Sequence, residues 1–251
     1  MDFGLKGKKA LITGGTSGMG KESVKLLLKE GVYVAINYFH NDKKANETYE
    51  ELKKFGELIL VKGDVGNYKE CEKVVNEVLK NFGTIDILVH CAGIAQPNED
   101  TPENWDLVIK THLYSCYNLD KHISPIMIEK KSGKIIIISS IGAHSTWPNA
   151  YCAAMAGKIC YAKGLAKKLA PFGINVNTIS PGTIFTPMLD PFIPVEKRRE
   201  FTEKNIPLYK SKNGYPTAIE IAKVVLFLCS DLSSHITGED IKVDGGEFIH
   251  Y

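Results

Sequence analysis

Short apolar runs rich in β-branched residues alternate along this chain with longer amphipathic stretches. This alternation is typical of repeated strand-helix-strand units, which build a parallel sheet with helices on both faces. The fold class is therefore α/β, a doubly wound sheet of about seven parallel strands in a single domain spanning residues 1–251. The predicted strands are Ala10–Thr13, Val32–Asn37, Leu58–Lys62, Ile85–His90, Lys134–Ser140, Asn175–Ile179 and Ile241–Val243.

Composition narrows the class of protein further. The chain is 44% hydrophobic, which is enough apolar surface for one sizeable core, and its net charge is only +2. Its apolar runs, such as Ile135–Ile138, are far shorter than the roughly 18 residues of a membrane span, and residues 1–9 lack the apolar middle of a signal peptide. Basic residues are scattered, so neither nucleic acid nor a membrane is an expected partner, and a cytoplasmic location is expected.

Six cysteines occur without any Cys-x-x-Cys pair, at positions 71, 91, 116, 152, 160 and 229. They lie inside apolar stretches, which is typical of reduced core thiols rather than disulfides. No metal site is predicted from them.

One stretch, from Pro181 to Pro216, breaks the alternation and is rich in proline. Long irregular insertions in compact domains are usually lids or binding loops. We therefore predict a substrate lid at about 183–216.

A glycine-rich loop follows the first strand directly and opens the next helix. Glycine allows a sharp turn and lets backbone N–H groups approach a pyrophosphate, while the helix N-terminus adds a partial positive charge. With Asp64 after the third strand, the loop predicts a dinucleotide site. The loop residues assigned to it are Gly14, Thr16, Ser17, Gly18, Met19 and Gly20.

The spacing Gly14-x3-Gly18-x-Gly20 resembles that of the short-chain dehydrogenase/reductases, and further motifs occur in that family's order over residues 5–247. Asp64-Val65 is similar to the adenine-binding pair, and Cys91-Ala92-Gly93 lies in a segment similar to the family's Asn-Asn-Ala-Gly turn. Pro181-Gly182-Thr183-Ile184 and Thr186 resemble the nicotinamide-side loop. The resemblance implies a Rossmann-type NAD(P)-dependent oxidoreductase, a small carbonyl or alcohol substrate, and a homotetramer or homodimer.

The resemblance also implies a catalytic tetrad, of which this chain keeps two members. Ser140 and Tyr151 correspond to the serine and tyrosine that bind the substrate oxygen, with Ser139 as a less favoured serine. Tyr151 is assigned to the cofactor site as well. The lysine expected four residues after the tyrosine is Met155, and the asparagine of the proton relay is His112.

Two residues are candidates to compensate for the missing lysine and asparagine of the tetrad. Lys158 lies seven residues after Tyr151, near the same helix face, and is either a replacement lysine or a solvated or subunit-interface side chain. His112 either carries protons or is a buried histidine bonded to backbone.

The altered tetrad leaves reduction feasible, because neutral Tyr151 can still donate a proton. Alcohol oxidation near neutral pH is expected to be slow, since a tyrosine with a pKa near 10 is a poor base. The alternatives are a nucleotide-binding pseudoenzyme or an engineered Lys-to-Met inactive variant. Two departures in one relay favour natural divergence over a designed single change.

Cofactor choice depends on the end of the second strand. Enzymes that select NAD often have an acidic residue there, and this chain has Asn37, followed by Tyr38. NADP(H) is therefore favoured, with His40, Lys43 or Lys44 to supply charge, and NAD(H) stays open.

The substrate is expected over the carboxyl ends of the strands, beside an apolar wall formed by Trp147, Phe185, Met188, Phe192 and Tyr209. These residues suit an apolar, cyclic or acyl carbonyl compound, but they also suit lid packing. Arg198 and Arg199 either meet an anionic substrate tail or lie on a solvated helix face.

Overall fold

A computed structural model of the chain describes residues 2–210 and 214–249. Its seven strands form one parallel sheet in the order β3-β2-β1-β4-β5-β6-β7. All seven predicted strands are confirmed, and no strand end shifts by more than two residues. The strands are β1 (Lys9–Thr13), β2 (Tyr33–Tyr38), β3 (Leu58–Lys62), β4 (Ile87–His90), β5 (Gly133–Ile138), β6 (Ile174–Pro181) and β7 (Asp240–Val243).

Helices connect the strands and cover the sheet. A π-turn, Lys110–Tyr114, joins two of them into one continuous helical rod. Among the helices described, none combines the length and apolarity that crossing a bilayer requires. The helices are α1 (Gly18–Lys29), α2 (Asp42–Leu52), α3 (Tyr68–Phe82), α4 (Pro102–Ile109), α5 (Ser115–Lys130), α6 (Ala150–Leu169), α7 (Arg198–Asn205) and α8 (Ala218–Cys229).

Successive residues of the central strands face two different core layers, because side chains alternate along a strand. Ile12 belongs to the layer built with α1 and α8, whereas Leu11 belongs to the layer built with α3, α5 and α6. In β5, Ile136 and Ile135 divide in the same way. Burial on both faces explains why these strands are almost entirely apolar, and it fixes the α/β class.

The strand order reverses between β1 and β4, because β2 and β3 lie on one side of β1 while β4 to β7 lie on the other. The connections that follow β1 and β4 both begin at the carboxyl edge of the sheet. A parallel sheet forms a crevice at such a switch point, because the following connections run to opposite faces. The glycine loop follows β1 and the Cys91–Gly93 segment follows β4. The fold therefore brings both segments to the same crevice.

The predicted lid is described at 183–210 and 214–216, while residues 211–213 lie outside the described residues. Its described parts include α7 and contact one another through Arg198. The Arg198 guanidinium carbon lies 5.2 Å from the Phe185 ring centre and 5.6 Å from that of Tyr215, and the guanidinium pairs with Asp190. Arg198 is buried, so neither predicted role fits it: it holds the segment together. Arg199 is exposed and pairs with Glu203, as a solvated helix face requires.

All six cysteines are free thiols. Those at 71, 116, 152 and 229 are buried, as the sequence predicts, while Cys91 is half-buried and Cys160 is exposed. Cys160 is therefore not a core thiol.

A buried ion pair that the sequence does not signal anchors the end of β4. The Nε2 atom of His90 lies 3.1 Å from Oδ1 of Asp120 on α5, and both side chains are almost wholly inaccessible to solvent. Burial by itself lowers the pKa of His90, but the neighbouring Cys116 and Asp120 outweigh it and raise that pKa to about 10. His90 is therefore protonated at neutral pH, and the pair ties the central sheet to α5.

We expect Asp120→Ala to lower the free energy of unfolding by about 3–5 kcal/mol at neutral pH, because it leaves a buried charge unpaired. The folded-state pKa of His90 is above its ordinary value near 6.5, so the stabilisation is complete below about pH 6.5 and is lost as the pH rises through about 10. Urea unfolding of both proteins below about pH 6.5 and again above about pH 10 measures the loss of this stabilisation.

Glu129→Ala is the matched control, because Glu129 is an exposed carboxylate on the same helix. It should leave the unfolding midpoint unchanged. An Asp120→Ala penalty that is the same at low and high pH would show that the charge on His90 does not contribute.

Candidate functional site

The crevice at the switch point has a volume of about 490 Å³ and is lined by most of the residues predicted to hold a dinucleotide. The predicted residues that line the crevice are Gly14, Thr16, Ser17, Gly18, Met19, Gly20, Asn37, Tyr38, Asp64, Val65, Cys91, Ala92, Gly93 and Thr186. Pro181, Gly182, Thr183, Ile184 and Tyr151 do not line it. Sequence reasoning missed Leu107, Lys110 and Thr111, since nothing in the pattern of α4 or of the π-turn after it marks them as facing a ligand.

Close backbone approach explains two of the glycines. Gly14 has φ of +64°, and a Cβ atom there would lie 2.8 Å from the Cα of Ala92. A Cβ atom on Gly20 would lie 2.4 Å from the carbonyl oxygen of Gly14. Larger residues are therefore excluded at both positions, and the backbone of the loop is left open to a phosphate.

The start of α1 is well suited to an anion. The N-cap Ser17 makes no side-chain capping bond, and no acidic residue lies in the first turn. The first N–H groups of a helix carry partial positive charge and need acceptors. A pyrophosphate in the crevice would meet this requirement.

The end of β2 places a neutral amide where a ribose is expected. Nδ2 of Asn37 donates to the carbonyl oxygens of Val61 at 3.3 Å and Gly63 at 3.0 Å. This leaves Oδ1 of Asn37 as its free hydrogen-bonding atom. His40 also lines the crevice, its ring 3.8 Å from that of Phe39.

The two predicted basic neighbours of that position lie outside the crevice. Lys44 is on α2, with its Nζ atom 3.9 Å from Oε2 of Glu47. Lys43 is on the same helix. Of the three residues expected to supply charge, only His40 lies where it can do so.

Ser140 and Tyr151 meet beside the crevice. Ser140 begins a helical turn, its Oγ atom accepting from the Gly142 N–H at 3.1 Å. This Oγ atom and Cε1 of Tyr151 lie 3.4 Å and 3.5 Å from the point that a Cβ atom on Gly142 would occupy. Asn149 caps α6, which fixes the start of the helix on which Tyr151 stands. Burial raises the pKa of Tyr151 above its ordinary value, and the nearby Ser140 hydroxyl offsets this only in part. Tyr151 is therefore a neutral hydrogen-bond donor at pH 7.

Ser139 has a structural role. Its Oγ atom donates to the Met155 carbonyl oxygen at 3.0 Å, and the residue is buried. This bond ties the end of β5 to α6. Ser139 is therefore engaged elsewhere, which agrees with the preference for Ser140.

Met155 lies where the resemblance places a lysine, and its surroundings are apolar. It is 1% exposed and packs in a cluster with Val108, Ala150 and Ala154, against which Tyr151 also packs. No cation reaches Tyr151 from this position, so nothing there lowers the pKa of the phenol.

His112 sits in the π-turn, buried, with its ring edge-on to that of Tyr151 at 5.4 Å between centres. Its Nε2 atom lies 2.9 Å from the carbonyl oxygen and 3.2 Å from the nitrogen of Ile94. Burial, together with the charge of Lys158, lowers the pKa of His112 to about 3. The imidazole is therefore neutral and bonded to backbone; its place in a proton relay remains a prediction.

Lys158 is one of the most deeply buried large side chains among the described residues. Its Nζ atom donates to the Ile138 carbonyl oxygen at 2.9 Å, and burial lowers its pKa. The solvated or subunit-interface interpretation is therefore wrong. Catalytic replacement remains a prediction, and in this structure the ammonium is directed to the end of β5.

The predicted apolar wall divides into two groups. Phe185 is buried against Phe201 and Tyr215, and the hydroxyl of Tyr209 lies 3.3 Å from Glu220, so these two belong to lid packing. The others have exposed apolar surface to offer a ligand; they are Trp147, Met188 and Phe192.

The geometry predicts that Gly93→Ala destabilises the protein, by about 1–3 kcal/mol as is typical of overpacking. A Cβ atom at this position would lie 2.5 Å from Cε1 of the buried His112 ring. The same substitution should cost less in a His112→Asn background, where the ring is gone. Chemical denaturation of the four proteins measures both costs, and equal costs would mean that the clash is not with His112.

Comparison with known proteins supports the fold that carries this site. The family model described as enoyl-(acyl carrier protein) reductase matches residues 14–247. The 3-oxoacyl-(acyl-carrier-protein) reductase FabG of Staphylococcus aureus is 36% identical over 248 residues, covering 96% of this chain and 98% of the relative. FabG of Thermotoga maritima is 37% identical over 252 residues, with the same coverage. A crystal structure of a short-chain type dehydrogenase/reductase from Mycobacterium marinum has a TM-score of 0.88 at 28% identity, covering 99% of this chain and 98% of that one.

Proposed function

Because this chain belongs to the short-chain dehydrogenase/reductase family, we propose that it is an NAD(P)(H)-dependent carbonyl reductase acting through Ser140 and Tyr151. The observation that carries the proposal is the placement of these two side chains on either side of Gly142, with Tyr151 also packed on His112, whose ring abuts Gly93 of the crevice. Two convergent donors hold a carbonyl oxygen and oppose the charge that develops on it.

The direction of the reaction follows from the state of Tyr151. A bound reduced nicotinamide supplies the hydride that the carbonyl carbon receives. Tyr151, neutral because burial raises its pKa, gives its proton to the carbonyl oxygen, and Ser140 holds that oxygen during the transfer. The resulting tyrosinate then takes a proton from solvent. In the opposite direction Tyr151 would have to begin as a base, which its raised pKa disfavours.

The substrate is proposed to be an apolar, cyclic or acyl carbonyl compound. The relatives named 3-oxoacyl-(acyl-carrier-protein) reductase favour an acyl thioester as the first compound to test. The exposed apolar groups of Trp147, Met188 and Phe192 favour the same class, since they can cover a hydrocarbon chain or ring.

NADP(H) is the proposed cofactor, because Asn37 provides no carboxylate to repel a 2′-phosphate and His40 lies in the crevice. NAD(H) is the alternative, since Oδ1 of Asn37 can accept a bond from a ribose hydroxyl.

Three further properties remain predictions from the sequence. They are a lid at 183–216 within one domain, assembly as a homotetramer or homodimer, and a cytoplasmic location.

The first experiment titrates the protein with NADPH and NADH by fluorescence and then follows NADPH oxidation with acetoacetyl-CoA or cyclohexanone. We expect NADPH to bind more tightly, and Ser140→Ala and Tyr151→Phe each to lower turnover by about 10²-fold or more. Tyr114→Phe, an exposed tyrosine, is the matched control and should retain activity. Tight cofactor binding without turnover of either carbonyl would contradict the proposal and favour a pseudoenzyme.

A second experiment restores the family's lysine. Met155→Lys places an amine one helical turn from Tyr151, where its charge favours tyrosinate and lowers the phenol pKa. We expect alcohol oxidation by the wild type to increase only above about pH 9, and the variant to oxidise the alcohol at lower pH and faster at neutral pH. Rate profiles against pH measure the shift.

Lys158→Leu in the wild-type background tests whether that lysine already compensates. If it does, the substitution lowers turnover, and Met155→Lys in the same chain recovers it. An unchanged pH profile in Met155→Lys would contradict the assignment of Tyr151 as the proton-transferring group.

A further inference from the structure

The last strand and the turn after it touch both loops that flank the site. We define the C-terminal brace as residues 240–248. Asp240 opens β7 and bonds to His144, in the segment that follows Ser140. Glu247 bonds to Thr183, in the loop that follows β6. Neither Asp240 nor Glu247 was among the site residues predicted from sequence.

The first contact fixes the turn that Ser140 begins. Nε2 of His144 lies 2.9 Å from Oδ2 of Asp240, and the Asp240 side chain is 9% exposed. His144 is the last residue of the short helical turn Ile141–His144, of which Ser140 is the N-cap. The turn is thus held at its first residue by β5 and at its last residue by Asp240.

Asp240 is itself rigidly placed. It pairs with Thr178 in the β6–β7 ladder, and its Oδ1 atom accepts from the hydroxyls of Thr178 and Ser180, each at 2.7 Å. Both oxygens of the carboxylate are therefore engaged. A carboxylate held in this way gives His144 a single position to bond to.

The second contact holds the loop that the family resemblance places beside the nicotinamide. The two Glu247 oxygens accept from the N–H and the hydroxyl of Thr183, each at 2.6 Å. A Cβ atom on Gly182 would lie 2.6 Å from Oε2 of Glu247 and 2.7 Å from Cβ of Asp244. The absence of a side chain at Gly182 is what allows the brace to approach the loop.

We propose that His144, Asp240 and Glu247 are positioning residues: the C-terminal brace sets the Ser140 turn and the Thr183 loop at a fixed separation. The inference rests on the proposed function, which assigns Ser140 to the carbonyl, and on the Thr183 loop, which reaches the dinucleotide crevice at Thr186. The two contacts of the brace, called the His144 arm and the Glu247 arm, then affect different measured constants. The His144 arm acts on carbonyl turnover, and the Glu247 arm acts on cofactor binding.

The experiment compares His144→Leu, His144→Gln and Glu247→Leu with wild type, using NADPH and acetoacetyl-CoA as probes. His144→Leu should lower kcat/KM for the carbonyl about tenfold, because a small misplacement of a reacting group is costly, while the Kd for NADPH stays within about twofold. His144→Gln keeps an N–H donor and should recover most of the loss. Glu247→Leu should raise the Kd for NADPH about tenfold and change kcat at saturating NADPH by less than about threefold.

Glu239→Leu is the control for both arms, since Glu239 is an exposed carboxylate next to Asp240. It should match wild type in both constants. Amide hydrogen exchange of residues 140–146 and 181–186 gives a readout that does not need turnover. His144→Leu should speed exchange in the first segment, and Glu247→Leu in the second.

The outcomes separate the two proposals. A wild type that binds NADPH but turns over no carbonyl, with faster exchange in each variant, overturns the proposed function and supports the brace. Variants that change neither exchange nor their expected constant overturn the brace and leave the proposed function intact. A His144→Gln variant as impaired as His144→Leu also overturns the positioning role of the hydrogen bond.

Discussion

The architecture of the site depends on how closely the turn after β1 approaches the turn after β4. Oγ1 of Thr13 accepts from the N–H groups of both Cys91 and Ala92, each at 3.0 Å, and Gly14 lies against the Ala92 backbone. A single hydroxyl therefore joins the turn after β1 to the turn after β4. Because these turns form two sides of the crevice, the separation of those two sides follows from this junction.

A large part of the fold was predictable from the sequence, because strands buried on both faces must be apolar and the chain must return to the same end of the sheet between them. The glycine loop was predictable for a similar reason, since only glycine tolerates a backbone approach such as that of Gly14 to Ala92. Sequence periodicity does not carry such information for polar contacts between distant segments. The bond from His90 to Asp120 spans 30 residues, and that from Thr183 to Glu247 spans 64, with no local pattern at either end.

Burial constrains the charge of two residues whose roles the sequence leaves open. The sequence suggests Lys158 as a replacement lysine and His112 as a proton carrier, but the structure encloses both, and burial disfavours the charged form of each. The family's lysine brings a charge beside the phenol. In this chain the corresponding place is apolar, and the nearest lysine of the helix is bonded one turn further along, to the Ile138 carbonyl oxygen. The electrostatic environment of Tyr151 is thus set by desolvation rather than by a cation.

The π-turn at Lys110–Tyr114 has a consequence for how the long helical rod is shared between neighbours. A π-turn holds one residue more than an α-turn, and one residue rotates all that follows by about 100° about the axis. The α4 half can therefore pack on α6 while the α5 half packs on α3. Without the extra residue, the contact faces of α4 and α5 would be about 100° closer in rotation about the helix axis. The π-turn thus directs one half of the helix toward α6 and the other half toward α3.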